Sequence, residues 1–471
     1  MRLEKLLGPD IKQLLKEDPE QLGILLEEIH AEDLADIVGE LEPDEAAQLL
    51  ARAPAEEGAQ IFERLEEHEQ EELVELMAPE SVAQIASEMA PDDRADLFSV
   101  LPEAVGDDIL ERLAKVDPEA AEEVREMEKW PETSAGHLMT TAYITISPHE
   151  NVEAALLAVR TYVQENENAP VYNVYAMGED ERLVGIVSLR QLIAAKPFDP
   201  LSDIMWTNII SVAPDLDQEE VARRMAKYDL NVMPVIDDHG VMLGIITIDD
   251  VIDVLTAEQT EDVQKLGAVE PLDVPYFKTT FLEFIKKRGV WLVILFVEEF
   301  FTQTALRYYD PIFEAVKGAS YYVPLLISTG GNSGSQSSTL VIRGMAVGEI
   351  KPSDWWRIAV RELFMGLVLG IGLGAIGFMR VLMYPDQHLN FAITIGLTLV
   401  GIVMTGCTIG SMLPLILKRA GIDPATSSTP FIASLVDVAG IIVFVHVAKI
   451  VMASVIAAHG AGGAGVILHP H

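Results

Sequence analysis

Residues 429–458 read TPFIASLVDVAGIIVFVHVAKIVMASVIAA, an apolar run long enough to cross a bilayer that still carries an aspartate, Asp437. A carboxylate on a spanning helix costs on the order of 3 kcal/mol to insert, so it is normally kept for a partner or a pathway. Lys449 lies twelve residues on, several turns away at ~1.5 Å rise per residue. Two readings remain for Asp437. It is tied to serine or backbone groups in a helix-packing site, or it lines the route of a permeating cation.

Four more apolar runs precede this one. The five lie near 288–306, 320–344, 357–383, 389–417 and 429–457, each close to the ~20 helical residues that a ~30 Å hydrocarbon core requires. A five-helix transmembrane domain is therefore expected over 280–471. The inner flanks would carry Lys286, Lys287, Arg288, Arg343, Lys351, Arg357, Arg361, Lys418 and Arg419, the outer flanks Arg307, Lys317 and Arg380. This bias predicts a cytosolic N-terminus, a C-terminus outside, and a multi-pass protein of the cell membrane surrounded by lipid. No apolar signal-peptide core follows Met1, which agrees with a cytosolic start. The second run contains STGGNSGSQSS, Ser328 to Ser338, whose Asn332, Ser333, Ser335 and Gln336 offer oxygens at mid-depth. Such a stretch must face protein or water; it is either a pore lining or a close-packed helix seam. Ser434 and Gly440 flank Asp437 by one turn. Glu298 and Glu299 sit deep in the first run, a position suited to an outer vestibule.

Charge divides the chain. Residues 1–275 carry 63 acids and 19 bases, a net of −44, against +3 for residues 276–471. Nucleic acid is excluded as a partner of so acidic a body, and cations are favoured, although acidity also serves plain solubility. The single cysteine, Cys407, excludes an internal disulfide framework. Residues 1–130 repeat short amphipathic phrases such as LLEEIHAEDLADIVGELEPDEAAQLL, with Pro43, Pro79, Pro91 and Pro102 at helix starts. An all-α, solenoid-like N-terminal domain is expected. Asp92 and Asp96 lie four apart on one helix face, a spacing that suits a solvated surface as well as a metal site.

Residues 134–257 contain a duplication. HLMTTAYITISPHENVEAALLAV with LVGIVSLRQLI is echoed by DIMWTNIISVAPDLDQEEVARRM with MLGIITIDDVI. Each copy reads as a short lead-in, a strand, an amphipathic helix, a strand (APVYNVY and VMPVID), a turn, a strand and a closing helix. The two copies, 134–197 and 201–257, resemble tandem CBS domains. That resemblance implies an α/β pair whose cleft holds an adenine nucleotide such as ATP, the ribose read by an acid three positions after Thr or Ser. The second copy supplies Thr247 and Asp250; the first has Ser188 but Gln191 in place of the acid. The alternative is that the pair only transmits conformation or dimerises. A helix-compatible, acid-rich stretch follows and overlaps its end, running until Gly267 and Pro271 within a connecting-helix segment over 250–275.

The chemistry around Asp437 selects a hard cation. No Cys, His and Met cluster lies near it, and His446 is more than two turns away. Mg²⁺ meets protein through one or two carboxylates and keeps several waters, so one Asp per chain suits it, better still when a homodimer doubles the carboxylate. Here the resemblance extends over nearly the whole chain. The domain order, with VPLLISTGGNSGSQSSTLVIR and PFIASLVDVAG, resembles the MgtE family of magnesium channels. The resemblance implies that Asp437 and the backbone of Ala433 form the pore cation site, with Asn332 and Ser434 beside it, and that Asp423 forms a membrane-boundary site. It implies regulatory Mg²⁺ sites from Asp92, Asp96, Asp217, Glu219, the backbone of Ala226, Asp229, Asp250, Asp253, Glu258, Glu261 and Asp262, with the connecting helix as a plug. One departure stands out: the glutamate expected of the N-terminal domain is replaced by Gln60. The function so read is Mg²⁺ uptake gated by cytosolic Mg²⁺. A CBS-regulated transporter of Co²⁺, Mn²⁺ or Ni²⁺ and a nonconducting divalent-cation receptor are the alternatives. No Ser/His/Asp set, phosphate loop or metal-hydrolase spacing points to an enzyme.

Overall fold

The computed structural model describes residue 7 and residues 11–14, 25–26, 29–165, 171–178, 180–272, 274–384 and 388–457. The chain start around Met1, the first residues of APVYNVY and the C-terminal end that orientation would place outside lie beyond these. The chain divides into two compact units, residues 1–258 and 259–471.

Among the described residues, the first unit holds a run of short helices from Ala31 on: α1 (Ala31–Gly39), α2 (Pro43–Leu50), α3 (Ala55–Phe62), α4 (Glu67–Leu76), α5 (Pro79–Glu88), α6 (Pro91–Val100), α7 (Glu103–Val116) and α8 (Pro118–Met127). Prolines open α2, α5, α6 and α8, and Pro102 caps α7, where a missing N–H is harmless because the first helical turn has no intrahelical acceptor. An eight- or ten-residue helix cannot bury its apolar stripe on one neighbour. Each therefore packs on the next but one, α1 on α3 through α6 on α8, around Ile37, Leu49, Ile61, Phe62, Leu97 and Leu113. The outcome is the superhelical stack expected.

The duplicated segment follows. The first copy is β1 (Ile144–Ile146), α9 (Val152–Glu165), β2 (Asn173–Met177), β3 (Leu183–Ser188) and α10 (Leu189–Ala194), with β1 parallel and β3 antiparallel to β2. After a short α11 (Leu201–Ile204), the second copy supplies α12 (Gln218–Tyr228), the antiparallel pair β4 (Val232–Ile236) and β5 (Met242–Thr247), and α13 (Ile248–Leu266). The first strand expected of this copy is reduced to one parallel bridge, Val212 to Val235.

The lead-ins are exchanged between copies. Thr140 of the first pairs with Ile245 of the second, and Trp206 of the second with Ile186 of the first. Two glycines at matching positions make room for the methionines that cross over. A Cβ on Gly185 would strike the Met205 side chain, and one on Gly244 would lie 2.8 Å from both Met139 Cγ and the Thr140 carbonyl. A side chain can yield, whereas a paired carbonyl cannot. Gly244→Ala is therefore expected to destabilise this unit by about 1–3 kcal/mol, the usual range for overpacking, as a lowered urea midpoint of the full chain; an unchanged midpoint would contradict the exchange.

α13 ends at Leu266, just before Gly267, where the helix-compatible stretch is expected to break, so the helix fills only part of the connecting segment 250–275. Ala268 turns into the left-handed region at φ 56°, and the N–H groups of Gly267 and Val269 close back on Val263 and Gln264, a Schellman-type stop. The division between the two units falls within this helix.

The second unit holds α14 (Phe281–Tyr308), a short α15 (Asp310–Ala315), α16 (Val323–Ala346), α17 (Trp355–Leu382), α18 (Leu389–Arg419) and α19 (Thr429–Val451). Among the described residues α14, α17, α18 and α19 are long and apolar enough to cross a membrane. α16, the remaining expected span, has 24 residues and so reaches ~36 Å at ~1.5 Å per residue, but its polar middle lowers its hydropathy. It packs on α18 and α19.

Candidate functional site

STGGNSGSQSS lies on α16, whose helical period separates its side chains by face. Gly330, Gly331, Ser333, Gly334, Ser337 and Ser338 are buried. A Cβ on Gly406 of α18 would lie 2.6 Å from the Gly330 carbonyl, and one on Gly410 would overlap that of Gly334. Glycines four apart on both helices bring the backbones together. This part of the motif is therefore a packing seam. Ser328, Asn332 and Gln336, also four apart, are exposed and form a polar stripe along the other side. One stretch thus holds a packing seam and, on a different face, an exposed polar stripe.

α19 meets the edge between them. Gly331 faces Ala433, whose Cβ would lie 3.1 Å from an added one, and Ser335 donates to the Thr429 carbonyl at 3.2 Å. Ala433 and Asp437, one turn apart, are half-buried, and Ser434 is buried. The pore candidates Asn332, Ala433, Ser434 and Asp437 thus belong to two helices in direct contact. Glu298 and Glu299 of α14 lie within electrostatic reach of Asp437. Sequence reading left these glutamates without a role, because nothing in the order of residues reveals that α14 packs on α19. A further acid in a span, Glu362 of α17, accepts a hydrogen bond from Ser337 at 2.6 Å.

In the first unit the structure gathers part of the expected regulatory set. Asp92 and Asp96 on α6 lie beside Asp250 at the start of α13, with Asp93 between them. Burial, then neighbouring carboxylates, raises Asp92 and Asp93; burial, partly offset by the Thr247 hydrogen bond, raises Asp250. Asp92 Oδ1 has no hydrogen-bond partner among the described residues. His137 binds Asp96 at 3.1 Å and is held above its ordinary value by that bond. The helical domain also contributes Glu63, three residues beyond Gln60. It caps α3, accepts the Ala90 N–H at 2.7 Å and faces Asp93. Glu63 thus places a carboxylate near Asp93 from the end of the helix that carries Gln60, which alternation of apolar and acidic residues alone could not single out.

A carboxyl held above its unfolded value binds its proton more tightly when folded. Its stabilisation is complete below the unfolded aspartate range near 3.8 and is lost as pH rises through the folded value. In metal-free buffer the melting temperature of the first unit is accordingly expected to fall as pH rises from that range towards neutrality. A melting temperature that rises across this window would contradict the carboxylate cluster.

The other candidates are more dispersed. Asp217 caps α12 by accepting the Glu219 N–H, Glu219 pairs with Arg223 at 3.3 Å, and Glu258 accepts from Gln218 at 3.0 Å. Ala226 and Asp229 lie at the far end of α12, with Asp229 at φ 52°. Asp253 is exposed on α13 and Asp262 half-buried. In the second unit Lys265 bridges Glu261 and Asp423, 2.7 Å from the latter. Burial opposes its charge, but these two carboxylates outweigh that and hold the ammonium above its ordinary value. An internal cation therefore sits between two acids assigned by resemblance to Mg²⁺. Among the described residues no three His, Cys, Asp or Glu side chains are close enough to hold one ion. Any divalent ion here would keep water or backbone ligands, the habit of Mg²⁺.

At the nucleotide candidate, Asp250 accepts hydrogen bonds from the Thr247 hydroxyl and N–H, and Thr247 is buried. At the degenerate copy, Ser188 and Gln191 form a reciprocal capping box, and Gln191 also donates to Ile204. A groove of about 560 Å³ lies along β1 and α9, lined by Tyr143, Thr145, Leu157 and Thr161; neither Thr247 nor Asp250 borders it.

Comparison with known proteins agrees with this architecture. Family models match residues 29–133 as the MgtE intracellular N domain, 135–197 and 201–257 as CBS domains, and 323–447 as the MgtE divalent cation transporter. The chain is 40% identical over 340 residues to the magnesium transporter MgtE of Thermus thermophilus, covering 72% of this chain and 75% of that one. It is 30% identical over 334 residues to the magnesium transporter MgtE of Enterococcus faecalis, with 71% and 72% covered. A crystal structure of the soluble part of a magnesium transporter aligns with a TM-score of 0.51 at 27% identity, covering 54% of this chain and 99% of that one.

Proposed function

The chain belongs to the MgtE family of divalent cation transporters, and from that premise we propose that it is a Mg²⁺-selective channel for magnesium uptake, closed by cytosolic Mg²⁺. The observation that carries this reading is the exposed stripe Ser328, Asn332 and Gln336 on a helix in contact with Ala433 and Asp437. Polar side chains on the surface of a spanning helix must meet water or another chain rather than lipid. Two copies related by a twofold axis would place two stripes and two Asp437 carboxylates around one aqueous path.

Closure would come from the cytosolic carboxylates. Asp92, Asp96 and Asp250 repel one another when ionised, and Mg²⁺ bridging them would favour the arrangement that brings them together. Asp217, Glu219, Ala226, Asp229, Asp253, Glu258, Glu261, Asp262 and Asp423 would extend that set along α12, α13 and the membrane boundary. A ligand shifts such an equilibrium only through its preference for one state, and bridging between elements supplies that preference. ATP at Thr247 and Asp250 would act on the same α13, since Asp250 belongs to both groups. The orientation proposed is N-terminus inside and C-terminus outside.

Proteoliposomes loaded with a Mg²⁺-sensitive dye test the reading. Influx should saturate with external Mg²⁺ and fall as Mg²⁺ rises on the face that carries the first unit. Absence of any flux from a well-folded dimer would leave a nonconducting receptor, and equal flux of Co²⁺ or Ni²⁺ would remove the selectivity for Mg²⁺.

A further inference from the structure

α14 is apolar over most of its length, yet its two fully buried side chains are polar: Glu298 is 9% exposed and Thr302 is 5% exposed. They are one turn apart, on the same face as the half-buried Trp291 and Leu295, and α14 packs against α19. Glu298 Oε2 and Thr302 Oγ1 are inaccessible and have no hydrogen-bond partner among the described residues. A helix that turns its apolar residues outward and buries a carboxylate and a hydroxyl, both without partners, is not packed for hydrophobic contact. Buried oxygens of this kind call for a ligand that supplies positive charge or donors.

We propose that Glu298 and Thr302 form a second oxygen station for the permeating divalent cation, beside Asp437. The inference rests on the pore reading of Asp437 and adds to it a carboxylate from a different helix. Glu298 lies within electrostatic reach of Asp437, so a divalent cation between them meets two carboxylates and one hydroxyl, its remaining ligands being water. Mg²⁺ accepts such an arrangement because it gives up water reluctantly and usually takes only one or two carboxylates. Two adjacent stations also let an arriving ion weaken the hold on the one ahead, which conduction requires. Glu299, adjacent in sequence, is exposed and acts on both Glu298 and Asp437; it adds to the local field, while the buried oxygens belong to Glu298 and Thr302.

The test is Mg²⁺ uptake by the full chain in proteoliposomes, with half-saturation and maximal rate determined separately. Glu298→Gln keeps the shape of the side chain and removes its charge. Loss of one ligand is expected to raise half-saturating Mg²⁺ about tenfold, Thr302→Val a few-fold, and Glu298→Asp should recover much of the loss. A glutamate that is merely protonated and packed is mimicked by glutamine, so wild-type half-saturation in Glu298→Gln would overturn the proposal. If Glu298→Gln fails to assemble, Thr302→Val carries the test, and wild-type half-saturation in it overturns the proposal. Unchanged uptake in a variant of Asp437 would overturn the pore reading underneath, a separate result.

Discussion

Asp437→Asn is expected to reduce Mg²⁺ uptake by on the order of 100-fold or more. The substitution preserves the shape of the side chain and removes only the charge. A unit charge at ~4 Å is worth about 4 kcal/mol at an effective dielectric constant near 20, a divalent ion feels it twice, and each 1.4 kcal/mol is tenfold in occupancy. Water retained around Mg²⁺ lengthens the distance and reduces the effect, which is why the expected loss is nearer a hundredfold than the bare Coulomb figure. Asp437 is half-buried on α19, four residues after Ala433, and Ala433 faces Gly331 of the polar motif. A glutamine or asparagine there still offers an oxygen but cannot compensate a divalent charge. Uptake at the wild-type rate, with protein level unchanged, would remove Asp437 from the pathway.

Arg94→Met should destabilise the first unit by about 3 kcal/mol, the lower part of the range for breaking a buried ion pair from one side. Arg94 is 4% exposed, donates to Glu123 at 3.0 Å and to the Met89 carbonyl at 2.7 Å. Glu123 in turn accepts from Thr141, so one guanidinium ties α6 to α8 and α8 to the lead-in of the first α/β copy. It also offsets part of the repulsion around Glu63. Methionine fills the volume but removes the cation paired with Glu123 Oε2, leaving that carboxylate only its Thr141 hydrogen bond, and takes the donor from the Met89 carbonyl, next to an acidic cluster. The unfolding midpoint of the full chain in denaturant measures the loss. A midpoint within experimental error of wild type would mean that the acidic neighbours relax freely and that the network is not a joint. Mg²⁺ should restore part of the lost stability if it binds the same carboxylates.

Much of the fold was legible because it is written in local periodicities. Apolar residues at helical spacing marked the short helices, proline marked their starts, and the repeated phrases marked two related α/β copies. The limits of local reading are equally specific. Nothing before the fold indicates that the two lead-ins are exchanged, since Met139 and Met205 read simply as apolar residues until Gly244 and Gly185 are seen opposite them. Gln60 read as the loss of an acid, whereas Glu63 reaches the cluster from the end of the same helix. The acid-rich stretch after Asp250 reads as helix until Gly267 and Pro271, and the helix does end at Leu266, but the left-handed turn that stops it falls on Ala268, a residue with no turn preference of its own. Lys265 was passed over because its partner Asp423 is 158 residues away.

What the sequence alone determined is what depends on neighbours along the chain. It established which segments are helical, which runs can cross a bilayer, where charge concentrates, and that Asp437 is out of place unless a cation or partner meets it. Tertiary structure alone decided which face of each element is occupied. It divided Ser328–Ser338 into a glycine seam and a polar stripe, because packing on α18 uses one side of the helix and leaves the other. It also buried Glu298 and Thr302 on a helix that packs on α19 and left most of the apolar remainder of α14 outside. A helix presents every residue to some direction, and only the positions of its neighbours determine which direction is the interior.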